Sequence, residues 1–308
     1  ALPISAKRQF KRLIDELREA LDDDQAEPMQ IRTRALQNFG QFLVLAFTWL
    51  LAPLAQAQNY SDIWWNPAES GWGLTIADHN TQLFAVWYTY DITGKPTWFT
   101  IPGGTFTNGK RNFAGDIYQT TGPAYSAPFV SSQVTATKVG TATFDFAPTG
   151  QAAGKASFTY TVGNVSQTKL IERQPFGNAA PNWGGDLTDI WWNENESGWG
   201  LTLAQHGNNV FGVWFTYGQD GKPLWLTIPG VTFAGANAFS GALYSVTGPY
   251  YGGTFNASAV VALSTWSRNS WMWHAIPSSR VGTSLRTVKP KFSSTGTAAE
   301  SGISPSAR

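Results

Sequence analysis

The pattern of apolar and polar positions changes character near residue 58. Before it, "AKRQFKRLIDELREALDDDQAEP" places Phe10, Leu13, Ile14, Leu17 and Leu21 at helical spacing. After it, no stretch keeps a helical period. The segment "TQLFAVWYTY" alternates instead, with Phe84, Val86, Tyr88 and Tyr90 on one face and Trp87 on the other. Both faces are bulky. This predicts a strand with one face filling a core and the other meeting a second unit, a loop or a ligand. "PTWFTIPG", "NFAGDIYQTTG", "SSQVTATKVGTATFDF", "KASFTYTVGN" and "SQTKLIERQPF" read as further strands. Turn signals separate them: "DITGKP", "TNGK", "APTGQAAG" and "GN". Connections this short predict antiparallel meanders rather than crossover helices.

The pattern is written twice. Residues 62–103 align with 189–230 at a constant offset, with 27 identities in 42 positions. The match continues through Phe113/Phe239 and "TGP" at 121–123 and 247–249, and fades near Val134/Val260. A period this long indicates two domains rather than a solenoid. The expected fold is all-β, two tandem antiparallel units, each an up-and-down β-barrel, with a small β-sandwich as the alternative. The units are placed at 58–178 and 187–263, joined by a linker at 179–186. From 264 to 308 the alternation collapses and the charge turns basic, with six Lys/Arg against one Glu. A shifted reading frame after about Val261, or a genuinely divergent terminus, produces both changes. The shifted frame is the reading taken here, and it implies a second unit truncated before its last strands.

Residues 29–57 carry a different signal. Arg32 and Arg34 precede an apolar run from Phe42 to Leu54, and Ala55-Gln56-Ala57 gives an A-x-A cleavage pattern. This is the layout of a secretory signal peptide. The run is shorter than the ~20 residues a membrane span needs. A mature chain starting at Gln58, exported to the periplasm or beyond with no membrane span after cleavage, is expected. Residues 1–28 read as a cytoplasmic amphipathic helix or as upstream sequence joined to a start at Met29, and the second reading is preferred.

Composition narrows the chemistry. The chain has no cysteine, so disulfides, thiolate metal sites and cysteine nucleophiles are excluded. Residues 58–263 hold eight Lys/Arg and twelve Asp/Glu. A body this mildly acidic is not a nucleic-acid surface, despite 15 Trp in the chain. The sequence contains no G-x-S-x-G, H-E-x-x-H, P-loop or EF-hand pattern. No cofactor and no metal are expected. His79 or His206 would need nearby carboxylates such as Asp62 or Glu69 to hold zinc, and nothing in the spacing demands it.

The candidate site is the phrase "WWNPAESGWG" and its copy "WWNENESGWG". Trp64, Trp65 and Trp72, with Trp191, Trp192 and Trp199, offer flat apolar platforms. Asn66, Glu69 and His79, with Asn193, Glu196 and His206, offer polar contacts. Sugar rings present CH faces to such platforms and hydroxyls to such polar groups, so the set suits a glycan. A structural reading competes. Asn66, Glu69 and Ser70 can accept hydrogen bonds within an irregular loop, while Gly71 and Gly73 shape the chain so that Trp72 plugs a barrel end. Lys95, in the hairpin turn "TGKP", reads as a solvated turn residue, with an anion contact as its functional alternative.

These residues carry a resemblance. "DIWWNPAESGWGL", "LFAVWYTYDITGKPTWF" and "YTVGNVSQTKLIERQPF" resemble a largely uncharacterised repeat family of exported proteins of Gram-negative bacteria, marked by WWNP-x-ESGWG. The likeness covers 60–176 and again 187–260. It implies an exported β-domain and supplies no catalytic residues. The function expected is an exported binding module for a glycan or another cell-envelope component. The alternatives are a hydrolase using Glu69 and Glu196, or a Glu/His pair, and a purely structural or interaction module.

Overall fold

The computed structural model describes Lys11, Arg12 and Asp15, which are helical, and residues 58–177, 186–233, 238–264, 271–275 and 286–291. The expected leader, nearly all of the expected linker and most of the basic tail lie outside the described residues. Among the described residues no helix is long and apolar enough to cross a membrane.

The fold is all-β. Nine strands form the first sheet: β1 (Asp62–Trp65), β2 (Gly73–His79), β3 (Gln82–Tyr90), β4 (Pro96–Ile101), β5 (Gly104–Thr107), β6 (Asn112–Thr121), β7 (Thr135–Asp145), β8 (Lys155–Val162) and β9 (Val165–Arg173). Their order is β4-β3-β2-β1-β9-β8-β7-β6-β5, and β4 also pairs with β6. That last pairing closes eight antiparallel strands into a barrel. It is made through Thr100 and Tyr118, where a bulge between Ile117 and Tyr118 shifts the β6–β7 register. A bulge bends the strand and increases its twist, which helps a sheet turn a corner.

Alternation explains how the barrel fills. Along β8, Ala156, Phe158, Tyr160 and Val162 point inward, and the residues between them are half-buried or exposed. The inner face gathers Leu74, Leu83, Trp87, Phe99, Phe113 and Phe144 around them into one core. Trp87 lies 5.4 Å from Phe158 and 4.3 Å from Tyr160, ring centre to centre. Fully burying a side chain of this size stabilises by roughly 1.5–3 kcal/mol.

A second sheet of ten strands follows: β10 (Asp189–Trp192), β11 (Gly200–His206), β12 (Asn209–Tyr217), β13 (Pro223–Ile228), β14 (Thr232–Phe233), β15 (Ala238–Gly241), β16 (Tyr244–Thr247), β17 (Val261–Ser264), β18 (Trp271–Ala275) and β19 (Arg286–Lys291). Its order is β14-β15-β18-β19-β10-β11-β12-β13-β16-β17. The hairpins β10–β11–β12–β13 reproduce the registers of β1–β2–β3–β4. Trp64 faces Leu74 as Trp191 faces Leu201, and Trp87 faces Phe99 as Trp214 faces Leu226. The sheet departs from the expected antiparallel meander where β19 runs parallel to β10. Two of its strands, β18 and β19, also lie in the region where alternation fails.

The strands that repeat are apolar on both faces, and both faces are buried. On β3, Leu83, Ala85 and Trp87 face the barrel core, while Val86, Tyr88 and Tyr90 belong to a second cluster. That cluster also takes Trp98 from β4 and Val213, Phe215, Tyr217 and Trp225 from β12 and β13. The outer face of the barrel's β2–β4 side therefore packs on the matching face of the second sheet.

Burial raises the phenol pKa of Tyr88 and Tyr90 well above the ordinary tyrosine range, and pushes that of Tyr217 up to about 12. Each phenol ionises more readily in the unfolded chain, where its value is near 10.0. The stability these groups contribute is thus complete below pH 10 and is lost as pH rises through the folded-state values. The urea midpoint is expected to fall steadily between about pH 10 and pH 12. Phenolate absorbance from these three side chains should rise only with unfolding. Titration of all ten tyrosines in the folded state would contradict this packing.

Candidate functional site

The repeated phrase forms an irregular corner between β1 and β2, and again between β10 and β11. Asn66 starts a 3-10 turn over Pro67–Glu69, its Oδ1 accepting from the Ala68 amide at 3.0 Å. Asn193 Oδ1 accepts from the Asn195 amide at 3.1 Å. The chain then passes through Gly71 at φ 126° and Gly198 at φ 133°, a region that L side chains rarely adopt. A Cβ at Gly71 would meet Val260, and one at Gly198 would meet Val134.

The two glutamates hold the corners. Glu69 Oε2 accepts from the Trp72 indole at 3.1 Å, and Glu196 Oε2 accepts from the Trp199 indole at 3.0 Å. Glu69 Oε1 also binds Lys169 Nζ at 2.8 Å, with both side chains less than one-fifth exposed. The indoles of Trp64 and Trp191 bond to the carbonyls of Tyr60 and Leu187. Trp64, Trp72, Trp191 and Trp199 are all buried in the cores, at most 6 % exposed. They are not the open platforms that the glycan reading expects at this phrase. Trp65 and Trp192 are only partly buried, and their indole nitrogens are enclosed with no hydrogen-bond partner among the described residues.

The remaining candidates pair across the two sheets. His79 Nε2 lies 3.0 Å from Asp189 Oδ1, and His206 Nε2 lies 3.0 Å from Asp62 Oδ1. The arrangement is reciprocal: each histidine reaches the aspartate of the other copy. The same exchange continues inward. Trp98 donates its indole N–H to the Thr216 carbonyl at 2.8 Å, and Trp225 donates to the Thr89 carbonyl at 2.9 Å. Thr75 and Thr202, equivalent positions, meet at 3.1 Å. These crossings were not anticipated from the sequence. Their only signal there was that Asp62, Thr75, His79 and Trp98 recur unchanged in the second copy.

Two crossing straps complete the exchange. Residues 122–134, between β6 and β7, lie over the second sheet. The Tyr125 amide bonds to the Tyr217 carbonyl, and Tyr125 and Phe129 pack on the second core. Residues 248–260 do the same to the barrel. The Tyr251 amide bonds to the Tyr90 carbonyl, and Tyr251 stacks edge-on to Trp87 and Phe99. A void of about 10 Å³ remains between Trp72, Trp87, Tyr160, Lys169, Tyr251 and Phe255. That is room for one water, not for a ligand.

The hydroxyls that precede the two aspartates are engaged: Ser61 Oγ bonds to the backbone of Asp78, and Thr188 Oγ1 accepts from the Gln205 amide. Among the described residues, no three His, Asp or Glu side chains cluster as a metal site requires. A larger cleft, about 630 Å³, opens at one end of the seam between the two sheets. It lies between the β3–β4 and β12–β13 hairpins and is lined by Asp91, Lys95, Gln119, Gln219, Asp220 and Lys222, among others.

The difference between the two corners is measurable. Glu69→Ala removes an ion pair and an indole acceptor, whereas Glu196→Ala removes the one partner found for it among the described residues. Chemical denaturation should show a loss of about 2–3 kcal/mol for the first and about 1–2 kcal/mol for the second. In a double-mutant cycle, Glu69 and Lys169 should couple; an additive result would show that the ion pair contributes nothing. No family model, curated protein or solved structure matches the chain.

Proposed function

We propose that the chain is an exported binding module of two tandem β-units, taking a glycan or another cell-envelope component without transforming it. Export rests on the leader pattern at 29–57 and on the likeness to exported Gram-negative repeats. The observation that carries binding over catalysis is the engagement of the polar residues that both copies share. Glu69 and Glu196 each hold an indole, and Asp62 and Asp189 each hold a histidine of the other copy. Hydrolysis of a glycoside needs two carboxylates ~5–9 Å apart across an open site. Here Glu69 sits beside Trp72 and Lys169, and Asp62 beside His206, so the two are committed to different partners. The strut-like use of the shared residues also supports the reading of the repeated phrase as scaffold.

The test uses the full chain with purified peptidoglycan and lipopolysaccharide. Saturable co-sedimentation with one of them, and no release of reducing ends, is expected. Glu69→Gln should lower the melting temperature by several degrees, as a loss of 1–2 kcal/mol does in a chain of this size. Release of reducing ends that stops in Glu69→Gln, with the melting temperature unchanged, would establish the hydrolase instead.

A further inference from the structure

The basic residues of the folded body are nearly all spoken for. Residues 58–263 contain eight Lys and Arg. Lys110 pairs with Asp78, Arg111 with Asp145, Lys138 with Asp116, Lys155 with Glu172, Lys169 with Glu69 and Arg173 with Asp62. Lys95 and Lys222 remain. Neither has an ion-pair partner among the described residues, and both line the seam cleft. They are also equivalent positions of the two copies, one on each hairpin. In a body of net negative charge, two uncommitted ammonium groups converging on one cleft are an anion-binding arrangement.

The turns that carry them are held in place. The Gly94 carbonyl accepts from the Gly248 amide, and the Gly221 carbonyl accepts from the Gly122 amide, each at 3.1 Å. Each hairpin is thus pinned by the strap of the other copy. Asp91 Oδ1 accepts from the Thr93 amide, the Thr93 hydroxyl and the Lys95 amide, and Asp220 Oδ1 accepts from the Lys222 amide. The carboxylates therefore shape the turns, and Oδ2 of each has no partner among the described residues. They also set the ligand class. Two aspartates beside two lysines disfavour a compact polyanion such as phosphate. A ligand that alternates an anionic group with hydroxyls satisfies both, with amides and hydroxyls from Gln119, Thr97 and Gln219 close by.

We infer that the seam cleft is the binding site, and that its ligand is an acidic oligosaccharide whose carboxylates meet Lys95 and Lys222 while its hydroxyls meet Asp91, Asp220 and the neighbouring amides. This rests on the binding-module reading and moves its site away from the tryptophan phrase. The cleft volume is in the range of sites that enclose a small ligand. One ligand segment would bridge both hairpins, so each chain binds one.

The test is calorimetric titration of the full chain with galacturonate oligomers, with neutral cello-oligosaccharides of equal length, with inorganic phosphate and with phosphatidylglycerol vesicles. Saturable binding of the galacturonate oligomer at one per chain is expected, weaker at high salt. Lys95→Ala and Lys222→Ala should each weaken it about tenfold, the loss expected for one charge-assisted contact. Lys95→Arg should largely restore it, and Lys138→Ala, outside the cleft, should leave it unchanged. Because both cleft lysines are exposed, the variants should melt with the parent, so lost binding is not lost fold. Galacturonate binding that survives the double lysine substitution overturns the cleft as the site, and so does neutral binding of that kind without galacturonate binding; either leaves the module standing. Equal or tighter binding of phosphate or vesicles overturns the acidic-sugar class. If neither the acidic nor the neutral oligomers bind, the inference falls, and retention on peptidoglycan or lipopolysaccharide then decides the module separately.

Discussion

The outer faces of β2–β4 and β11–β13 cannot be left in water, and most of this structure follows from that. Each set of strands is apolar on both sides. One side fills a core of its own, and the other needs a second cover of equal size and shape. The matching sheet supplies it. Closing two such faces buries polar groups along with apolar ones, and each buried donor left unmatched costs about 1–3 kcal/mol. The indoles of Trp98 and Trp225 find carbonyls on the opposite sheet, and the hydroxyl of Tyr88 finds Thr202. The reciprocal pairs at the seam are the polar accounting that a double-faced sheet makes necessary.

Much of this architecture was legible in the sequence because it is local. Strand after strand alternates with period two, and turns fall at "TGKP" and "TNGK". The doubled apolarity of "FAVWYTY" already implied a second cover. The identity of that cover was not legible, since the partners lie far apart: Asp62 and His206 are 144 positions apart, Trp98 and Thr216 are 118. Recurrence between copies marked these residues, but recurrence alone does not separate a contact between copies from a role within each one. The tryptophans of the repeated phrase were ambiguous for a related reason. An indole that binds a sugar and an indole that fills a core look alike in sequence. What buried Trp72 was Glu69 with Lys169, a hundred residues on, and the strap at 248–260 above the same barrel mouth.

The chemistry divides along the same line. The His–Asp pairs and the indoles of Trp98 and Trp225 join the two sheets, while Glu69 and Glu196 brace the corner of their own copy. The two lysines of the body without an ion-pair partner among the described residues stand at the seam cleft, one on each hairpin. Two sets of matching hairpins packed face to face create such a place, because their ends bring equivalent side chains together from both copies of the repeated sequence. Lys95, unremarkable in one hairpin, acquires its interest only beside Lys222.

The crossing straps have a consequence for how the chain is made. During synthesis the barrel half emerges first, with its β2–β4 face bare and its mouth uncovered, because residues 248–260 are not yet available. Its stability at that stage lacks the seam and the strap, so native packing arrives late and arrives together for both halves. Contacts between residues more than a hundred positions apart also slow the search for the folded state. A half-made chain exposing a broad aromatic face is the vulnerable species, prone to associate with another like itself. A topology in which each half finishes the other leaves neither complete until both are present.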